Sequence, residues 1–232
     1  RAAANKRGFK PVPLDASLSL ALKSTSVEKA SRNVVGLLPG SETPDEAIVY
    51  MAHWDHLGTH DGETGDNIYN GAVDNATGVA AIMEIAESFR KAKVPPKRSV
   101  LFLAVTLEES GLLGSKYYVA HPVIPLDKTV AVFNLDALSP VGKARDITVV
   151  GKGSSQLEDL LKPLLDAQKR TAVGESNTAA GYYFRSDHFN FAKAGVPALY
   201  IDSGTDLLEG GQAAGDAAGK DYTDNRYHKA AD

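Results

Sequence analysis

Short runs of almost continuous hydrophobic residues recur along this chain, and they constrain its fold more strongly than any other feature. Six of them read NVVGLL, AIVYMA, VLFLAVT, VAVFNL, ITVV and PALYI. Runs of this length without polar alternation are typical of strands that are buried on both faces of a sheet. Helical patterns lie between the runs, so the sequence predicts an α/β sandwich around a mostly parallel or mixed sheet.

Three segments carry the helical pattern. In the first, apolar residues recur at three- and four-residue spacing from Val79 onward, and the Pro95-Pro96 pair ends it. The second reads SSQLEDLLKPLLDAQKR, with an expected kink at Pro163, and the third reads SDHFNFAKAG. Residues 203–226 contain five glycines and no apolar stripe, which predicts a long surface loop.

Composition narrows the classes of function. The net charge is −4 and no basic face is evident, so nucleic acid is not an expected partner. No apolar run approaches the roughly 20 residues that a membrane-spanning helix needs. The chain has no cysteine, which excludes disulfides and thiolate metal sites. Any metal must therefore be held by histidine, aspartate and glutamate.

The length of 232 residues allows one substantial core, with two small domains as the alternative. The first 30 residues contain Pro11 and Pro13 and only a weak alternation in SLSLAL, which favours an arm or an edge strand. We therefore expect an N-terminal arm or edge segment at residues 1–32 and one folded domain at residues 33–232.

Histidines and acids directly follow three of the most apolar runs. AIVYMA is followed by His53-Trp54-Asp55, VLFLAVT by Leu107 and then a Glu-Glu pair, and VAVFNL by Asp136. In open α/β sheets, ligands bind outside the carboxyl ends of the strands. Each feature alone has an ordinary explanation, such as a solvated turn or a helix cap. Taken together they favour a metal site.

The chemistry of such a site fits these residue types. Two divalent ions about 3.5–4 Å apart need a bridging carboxylate, terminal histidine and carboxylate ligands, and open positions for water. In extended backbone His53 and Asp55 point to the same side, so Asp55 can accept a ring N–H of His53. Glu108 and Glu109 are adjacent and must point in different directions. One of them can be a ligand while the other faces the bound water.

Six motifs in chain order then identify a family. They read AHWDHLG, NGAVDNATGV, TLEESGLLGS, NLDAL, YYFRSDHFNFAKAGVPAL and RYHKAAD, and they span roughly Asn33 to Asp232. The chain resembles the co-catalytic di-zinc aminopeptidases, relatives of bacterial leucyl aminopeptidase, glutamate carboxypeptidase II and glutaminyl cyclase. The resemblance implies a three-layer α/β sandwich with a mixed, largely parallel sheet between helices, the phosphorylase/hydrolase-like zinc peptidase fold.

The resemblance also implies two Zn²⁺ ions per chain. One ion takes His53 and Asp136, the other takes Glu109 and His228, and Asp74 bridges both. The peptide bond Asp74–Asn75 is expected to be cis. The remaining histidines match no ligand position, although His188 is a candidate to line the substrate pocket: His56, His60, His121 and His188.

Catalytic roles are implied for three further residues. Glu108 is the general base for a water between the metals, and Asp55 orients His53. Tyr183 matches a tyrosine that helps to stabilise the oxyanion, with the adjacent Tyr182 as a competitor for that position. A buried structural tyrosine is the alternative explanation for Tyr183.

The implied function is a zinc-dependent exopeptidase, an aminopeptidase that removes N-terminal residues from peptides. The alternatives are a carboxypeptidase, for which Arg185 is the obvious cation, a glutaminyl cyclase, or a non-catalytic binding module. Family members usually carry further chain before the equivalent of Arg1 and a further helix after the last histidine. We therefore expect a truncated catalytic domain, a preceding segment or protease-associated domain from the same precursor, and, by resemblance only, a secreted or periplasmic location.

Overall fold

The computed structural model of the chain describes residues 4–60, 62 and 64–232. The chain divides into two compact units, Arg1–Ala30 and Ser31–Asp232. In the first unit, residues 4–8 form a turn, and no helix or strand is assigned among residues 4–30. The expectation of an arm or edge segment at residues 1–32 stays a prediction.

The second unit contains all six predicted strands and the three predicted helices. Its strands are β1 (Val34–Leu38), β2 (Thr43–His53), β3 (Gly58–Thr59), β4 (Ile68–Tyr69), β5 (Arg98–Val105), β6 (Thr129–Asn134), β7 (Asp146–Val150), β8 (Thr171–Gly174) and β9 (Ala198–Ser203). Its α-helices are α1 (Ala76–Lys91), α2 (Leu113–Ala120), α3 (Leu157–Gln168), α4 (His188–Lys193) and α5 (Gly211–Asn225).

Seven strands form one mixed sheet in the order β1-β5-β2-β6-β9-β7-β8. Strands β5, β2, β6 and β9 are parallel to their neighbours within this group. Strand β1 is antiparallel to β5 and β7 is antiparallel to β9, while β8 is parallel to β7. The predicted mixed, largely parallel sheet is confirmed, and the parallel group brings four carboxyl ends to the same edge.

Helices cover both faces of the sheet, which gives the three layers. On one face, Val49 and Met51 of β2 join a buried cluster with Tyr118 of α2 and Phe191 of α4. On the other face, the ring of Tyr50 lies 6.1 Å from that of Phe89 in α1, and α3 packs over β7 and β9. Because successive strand residues point to opposite faces, the continuous apolar runs supply both cores.

The prediction of a long loop at residues 203–226 was wrong. Strand β9 extends to Ser203, and α5 occupies most of the remainder. The helix lacks an apolar stripe because it packs through glycine: a Cβ atom at Gly215 would lie 1.9 Å from the carbonyl oxygen of Thr205.

Two other helices also differ from the sequence pattern. Helix α2 was not predicted, whereas α3 continues through Pro163 as one helix. Among the described residues, no helix is both long and apolar enough to cross a bilayer.

Candidate metal centre

The predicted site residues meet at the carboxyl edge of the parallel strands. His53 is the last residue of β2, Glu108 and Glu109 follow β5, and Asp136 follows β6. Strands β5, β2 and β6 are neighbours in that order, so the three turns lie side by side. Leu107 adopts a left-handed backbone conformation with φ of 55° just before the glutamate pair. This conformation redirects the chain as it leaves the strand.

His53 lies between two carboxylates. Its Nε2 atom is 3.1 Å from Oδ1 of Asp74 and 3.1 Å from Oδ1 of Asp136. All three residues are buried, with His53 only 1% exposed. Burial alone would lower the pKa of His53, but hydrogen bonds to Asp136 and Asp74 outweigh it and raise the pKa to about 12. Two buried carboxylates that face the same nitrogen atom would be stabilised by a positive charge at this point.

Asp74 reaches two histidines with its two oxygens. Oδ1 faces His53, while Oδ2 lies 3.3 Å from Nε2 of His228. The peptide bond Asp74–Asn75 is cis, which confirms the prediction. Asn75 then caps α1, since its Oδ1 accepts the N–H of Gly78 at 3.0 Å. A carboxylate with each oxygen directed at a different imidazole has the geometry of a bridging ligand.

The second group of donors gathers around Glu109. Its Oε2 lies 3.1 Å from Nε2 of His228, and its Oε1 lies 2.8 Å from Nδ1 of His56. Burial and the neighbouring charge of Asp74 raise the pKa of Glu109 to about 7. His56, Asp74 and Glu109 are close enough to hold one ion.

His56 is therefore a candidate that sequence reasoning missed. Both of its ring nitrogens are buried, and in the described part of the chain neither makes a contact with hydrogen-bond geometry, although Nδ1 lies 2.8 Å from Glu109. The resemblance assigned it no ligand position. The available signal was its place in the HWDH run, three residues after His53 and directly after Asp55.

Asp55 connects the histidine turn to the glutamate turn. Its backbone oxygen lies 3.0 Å from Nδ1 of His53, whereas its Oδ1 is 3.8 Å away from that nitrogen. Instead, Oδ1 accepts the backbone N–H of Glu108 at 3.1 Å. Asp55 thus contacts His53 through its backbone carbonyl and not through the predicted carboxylate, and its carboxylate fixes the turn that carries Glu108.

Two further residues support Asp136 and were not predicted. Ser186 donates its hydroxyl to Oδ2 of Asp136 at 2.5 Å, and Asn134 donates to the Oγ of Ser186 at 2.7 Å. Next to them, Asp187 accepts the hydroxyl of Ser115 at 2.5 Å. Burial raises the pKa of Asp187 to about 7. Ser186 therefore supports a strand-end residue from the turn that precedes α4.

A cavity of about 1030 Å³ opens over this centre and includes Glu108, Glu109, Asp136 and His228 in its walls. Four tyrosines are among its described lining residues: Tyr182, Tyr200, Tyr222 and Tyr227. Tyr183 is not among them. Its ring lies against Gly151 and 4.9 Å from the ring of His188, so its predicted oxyanion role stays a prediction.

The other histidines lie in different environments. His188 is fully buried between Tyr183 and Tyr200, and burial lowers its pKa to about 4. His60 stacks on Tyr69, and His121 stacks on Tyr117. These three histidines are absent from the two groups of described residues that are close enough to hold an ion.

Known proteins resemble this chain in sequence and in fold. Residues 33–232 match the profile of Peptidase family M28. Aminopeptidase YwaD of Bacillus subtilis is 29% identical over 180 residues, which cover 72% of this chain and 34% of that protein. The probable leucine aminopeptidase 2 of Aspergillus oryzae is 28% identical over 229 residues, 93% of this chain and 42% of that protein.

A solved structure gives the same picture. The LapA aminopeptidase of Legionella pneumophila superposes with a TM-score of 0.57 at 25% identity, covering 74% of this chain and 44% of that one. The chain spans less than half the length of these relatives. Because the family match covers residues 33–232, the chain belongs to peptidase family M28.

Proposed function

We propose that the protein is a zinc-dependent aminopeptidase with two ions per chain. The observation that carries this proposal is that the two carboxylate oxygens of Asp74 contact His53 and His228. Each of these histidines also contacts a second carboxylate, Asp136 for His53 and Glu109 for His228. The names of YwaD and LapA as aminopeptidases support the reaction class. A probable zinc metalloprotease of Pyrenophora teres, 36% identical over 116 residues, supports zinc.

The donor set fits zinc. His53 and Asp136 would hold one ion, Glu109 and His228 the other, and Asp74 both. Imidazole nitrogen and carboxylate oxygen are ordinary zinc ligands, and the chain has no thiolate to compete. Oε1 of Glu109 is buried and lies 2.8 Å from Nδ1 of His56 without hydrogen-bond geometry, as expected for two donor atoms that face a shared cation. When bound, the ions would supply positive charge that polarises the scissile carbonyl and acidifies water.

Glu108 is the residue placed to move protons. Burial and the negative charge of Asp136 raise the pKa of Glu108 to about 9, so it requires nearby positive charge to be ionised at neutral pH. Once ionised, its carboxylate can take a proton from the attacking water and return it to the leaving amine. Asp55 holds this residue in place through the backbone N–H.

The acidic cavity favours a free amine as the group that the protein recognises. Glu108 lines it beside the ligand carboxylates of Glu109 and Asp136, so the free α-amine of a peptide would find carboxylate oxygens that accept its hydrogen bonds there. Arg185 also lines the cavity and would favour a carboxypeptidase, but it is exposed and lies 5.4 Å from the ring centroid of Tyr182. A secreted or periplasmic location and an accompanying protease-associated domain are further proposals, and they rest on the resemblance alone.

The test compares aminoacyl-4-nitroanilides, N-acetylated versions of them, N-blocked dipeptides and N-terminal glutaminyl peptides. We expect hydrolysis of the free-amine substrates only, loss of activity with a chelator, and recovery when zinc reaches two ions per chain. Cleavage of N-blocked dipeptides would identify a carboxypeptidase, and cyclisation of glutamine a glutaminyl cyclase. Inactivity on all of them at full zinc occupancy would overturn the proposal.

Two glutamate variants sharpen this experiment. Glu108→Gln should keep its zinc and lose about 10²–10⁴-fold in kcat, because a general base is removed while the ligands stay. Glu109→Gln should lose zinc affinity as well as rate. Both are measured at matched zinc occupancy with a leucyl substrate. Retention of more than about a tenth of kcat in Glu108→Gln would exclude it as the base. Loss of zinc in Glu108→Gln alone would reverse the two roles.

A further inference from the structure

A carboxylate that the mechanism does not use lies in the wall of the same cavity. Asp202 belongs to β9 and lines the cavity together with Tyr200, two residues earlier on the same face of the strand. The last paired position of β6 and β9 is Asn134 with Tyr200. Asp136 comes two residues after Asn134, and Asp202 comes two residues after Tyr200. Since neighbouring strands lie about 4.8 Å apart, Asp202 is placed one strand away from the metal-side acid.

Among the described residues, the immediate contacts of Asp202 contain no cation. On β7, Thr148 pairs with Asp202 and Val150 pairs with Tyr200, and both also line the cavity. The Oδ1 atom of Asp202 accepts the N–H of Ser203 at 2.6 Å. In the described part of the chain, no lysine, arginine or histidine forms an ion pair with this carboxylate. The basic residues of the cavity wall are exposed: Lys116, Arg185 and Lys193.

Such a carboxylate is costly in a folded protein. Burial, reinforced by the charge of Asp136, raises its pKa to about 7 against the opposing hydrogen bond from Ser203. A carboxylate removed from water is stabilised when it is paired with a cation. The protein supplies no cation here, so a ligand that brings one into the cavity would gain the interaction.

We propose that Asp202 is a specificity-determining residue that binds the cationic side chain of a lysine or arginine at the substrate N terminus. This inference rests on the proposed aminopeptidase function. With the scissile carbonyl at the metal ligands, the α-ammonium lies beside Glu108 and Asp136, while Asp202 lies one strand further along the wall. The long stem of lysine or arginine spans that separation. Asp202 therefore faces the side chain and not the backbone of the first residue.

The experiment compares kcat/KM for lysyl, arginyl and norleucyl 4-nitroanilides. Norleucine keeps the straight apolar stem without the charge. We expect lysine and arginine to exceed norleucine by about 10- to 100-fold, the range for a charge-assisted hydrogen bond. Asp202→Asn should bring that ratio close to 1 and leave norleucine within a few-fold. The matched control is Asp216→Asn, an exposed acid of the same cavity on α5, which should leave the ratio unchanged.

Other outcomes overturn the inference. A preference for norleucine, or an unchanged ratio in Asp202→Asn, excludes the role. An equal loss for all three substrates in Asp202→Asn would mean that Asp202 binds the α-ammonium, which also overturns it. If no substrate is hydrolysed, the proposed function fails by itself. The role of Asp202 can then still be tested by measuring the calorimetric affinities of the zinc-loaded protein for lysinamide and norleucinamide. If Asp202 binds the side chain, lysinamide binds more tightly than norleucinamide, and Asp202→Asn removes that difference.

Discussion

The two halves of the metal centre are built in different ways. The strand-end half consists of His53, Glu108, Glu109 and Asp136, and the C-terminal half consists of α5 and residues 226–232 with His228. The side chain of His53 is 1% exposed, whereas that of His228 is 33% exposed. Sheet hydrogen bonds and two cores hold the first half, and a loop after a glycine-rich helix holds the second. Half of the site is therefore part of the sheet and half is docked onto it.

A small set of polar contacts docks the C-terminal half onto the bridging ligand. The carboxylate of Asp232 accepts the backbone N–H groups of Val73 and Asp74, each at 3.1 Å. The hydroxyl of Tyr222 donates to the same carboxylate at 3.2 Å. His228 itself has a left-handed backbone with φ of 57°. Local opening of this half costs few buried apolar contacts, so it belongs to the less stable end of the molecule.

The largest effect expected from this asymmetry concerns metal affinity. With two ions bound as proposed, the ion held by His53, Asp74 and Asp136 should bind more tightly than the ion held by Asp74, Glu109 and His228. His228→Ala should weaken only the second ion, by about 100-fold or more, since loss of a ligand exceeds the 10- to 100-fold cost of losing an outer partner. His53→Ala should instead weaken the tighter ion. Competition titration with a chromogenic chelator measures both.

The expected difference between the two metal positions is wrong if His228→Ala removes the tighter ion or if both ions are lost together. His121→Ala serves as the control, because that histidine is exposed at the end of α2. It should leave both affinities unchanged. If His56→Ala mimics His228→Ala, the buried imidazole beside Glu109 is a ligand as well, and the second position is better enclosed than the exposure of His228 indicates.

Acid should lower the stability of the folded chain through His188, the buried first residue of α4. Burial lowers the pKa of this histidine to about 4 from a usual 6.5, so the unfolded chain binds the proton more readily than the folded one. The contribution of neutral His188 to stability is therefore present above pH 6.5 and is lost as the pH falls toward 4. Between pH 7 and pH 5 this loss is about 2 kcal/mol in the free energy of unfolding.

Urea denaturation of the metal-free protein at both pH values measures this effect. His188→Leu should reduce the pH dependence by that amount, because the variant has no imidazole to protonate at this site. His121→Gln should keep the dependence of the unmodified protein. An identical pH dependence in His188→Leu would show that His188 is already solvated or paired in the folded state.

The same asymmetry explains what the sequence could predict. Apolar runs such as AIVYMA and VLFLAVT identify strands directly, and the residues that follow them must lie at the sheet edge because the strands are parallel. Helix α5 was missed because its packing depends on the absence of side chains at positions such as Gly215, which the sequence presents as loop composition. Support by Ser186 and the approach of His56 to Glu109 were also missed, since they depend on side-chain placement across distant segments.

The smallest effect expected comes from two glycines of α5 that differ only in surroundings. Gly219 has open space where a Cβ atom would be added and an ordinary helical backbone, so Gly219→Ala should stabilise the helix by about 0.5–1 kcal/mol. Gly215→Ala should destabilise the protein by about 1–3 kcal/mol, because its Cβ would meet the backbone of Thr205. Urea denaturation gives both values, and amide exchange along residues 211–225 shows whether they act on α5. Changes of opposite sign confined to this helix would mean that the C-terminal half opens by itself. A stabilising effect of Gly215→Ala would show that α5 is not packed against Thr205. The C-terminal half would then not be held in place by this contact.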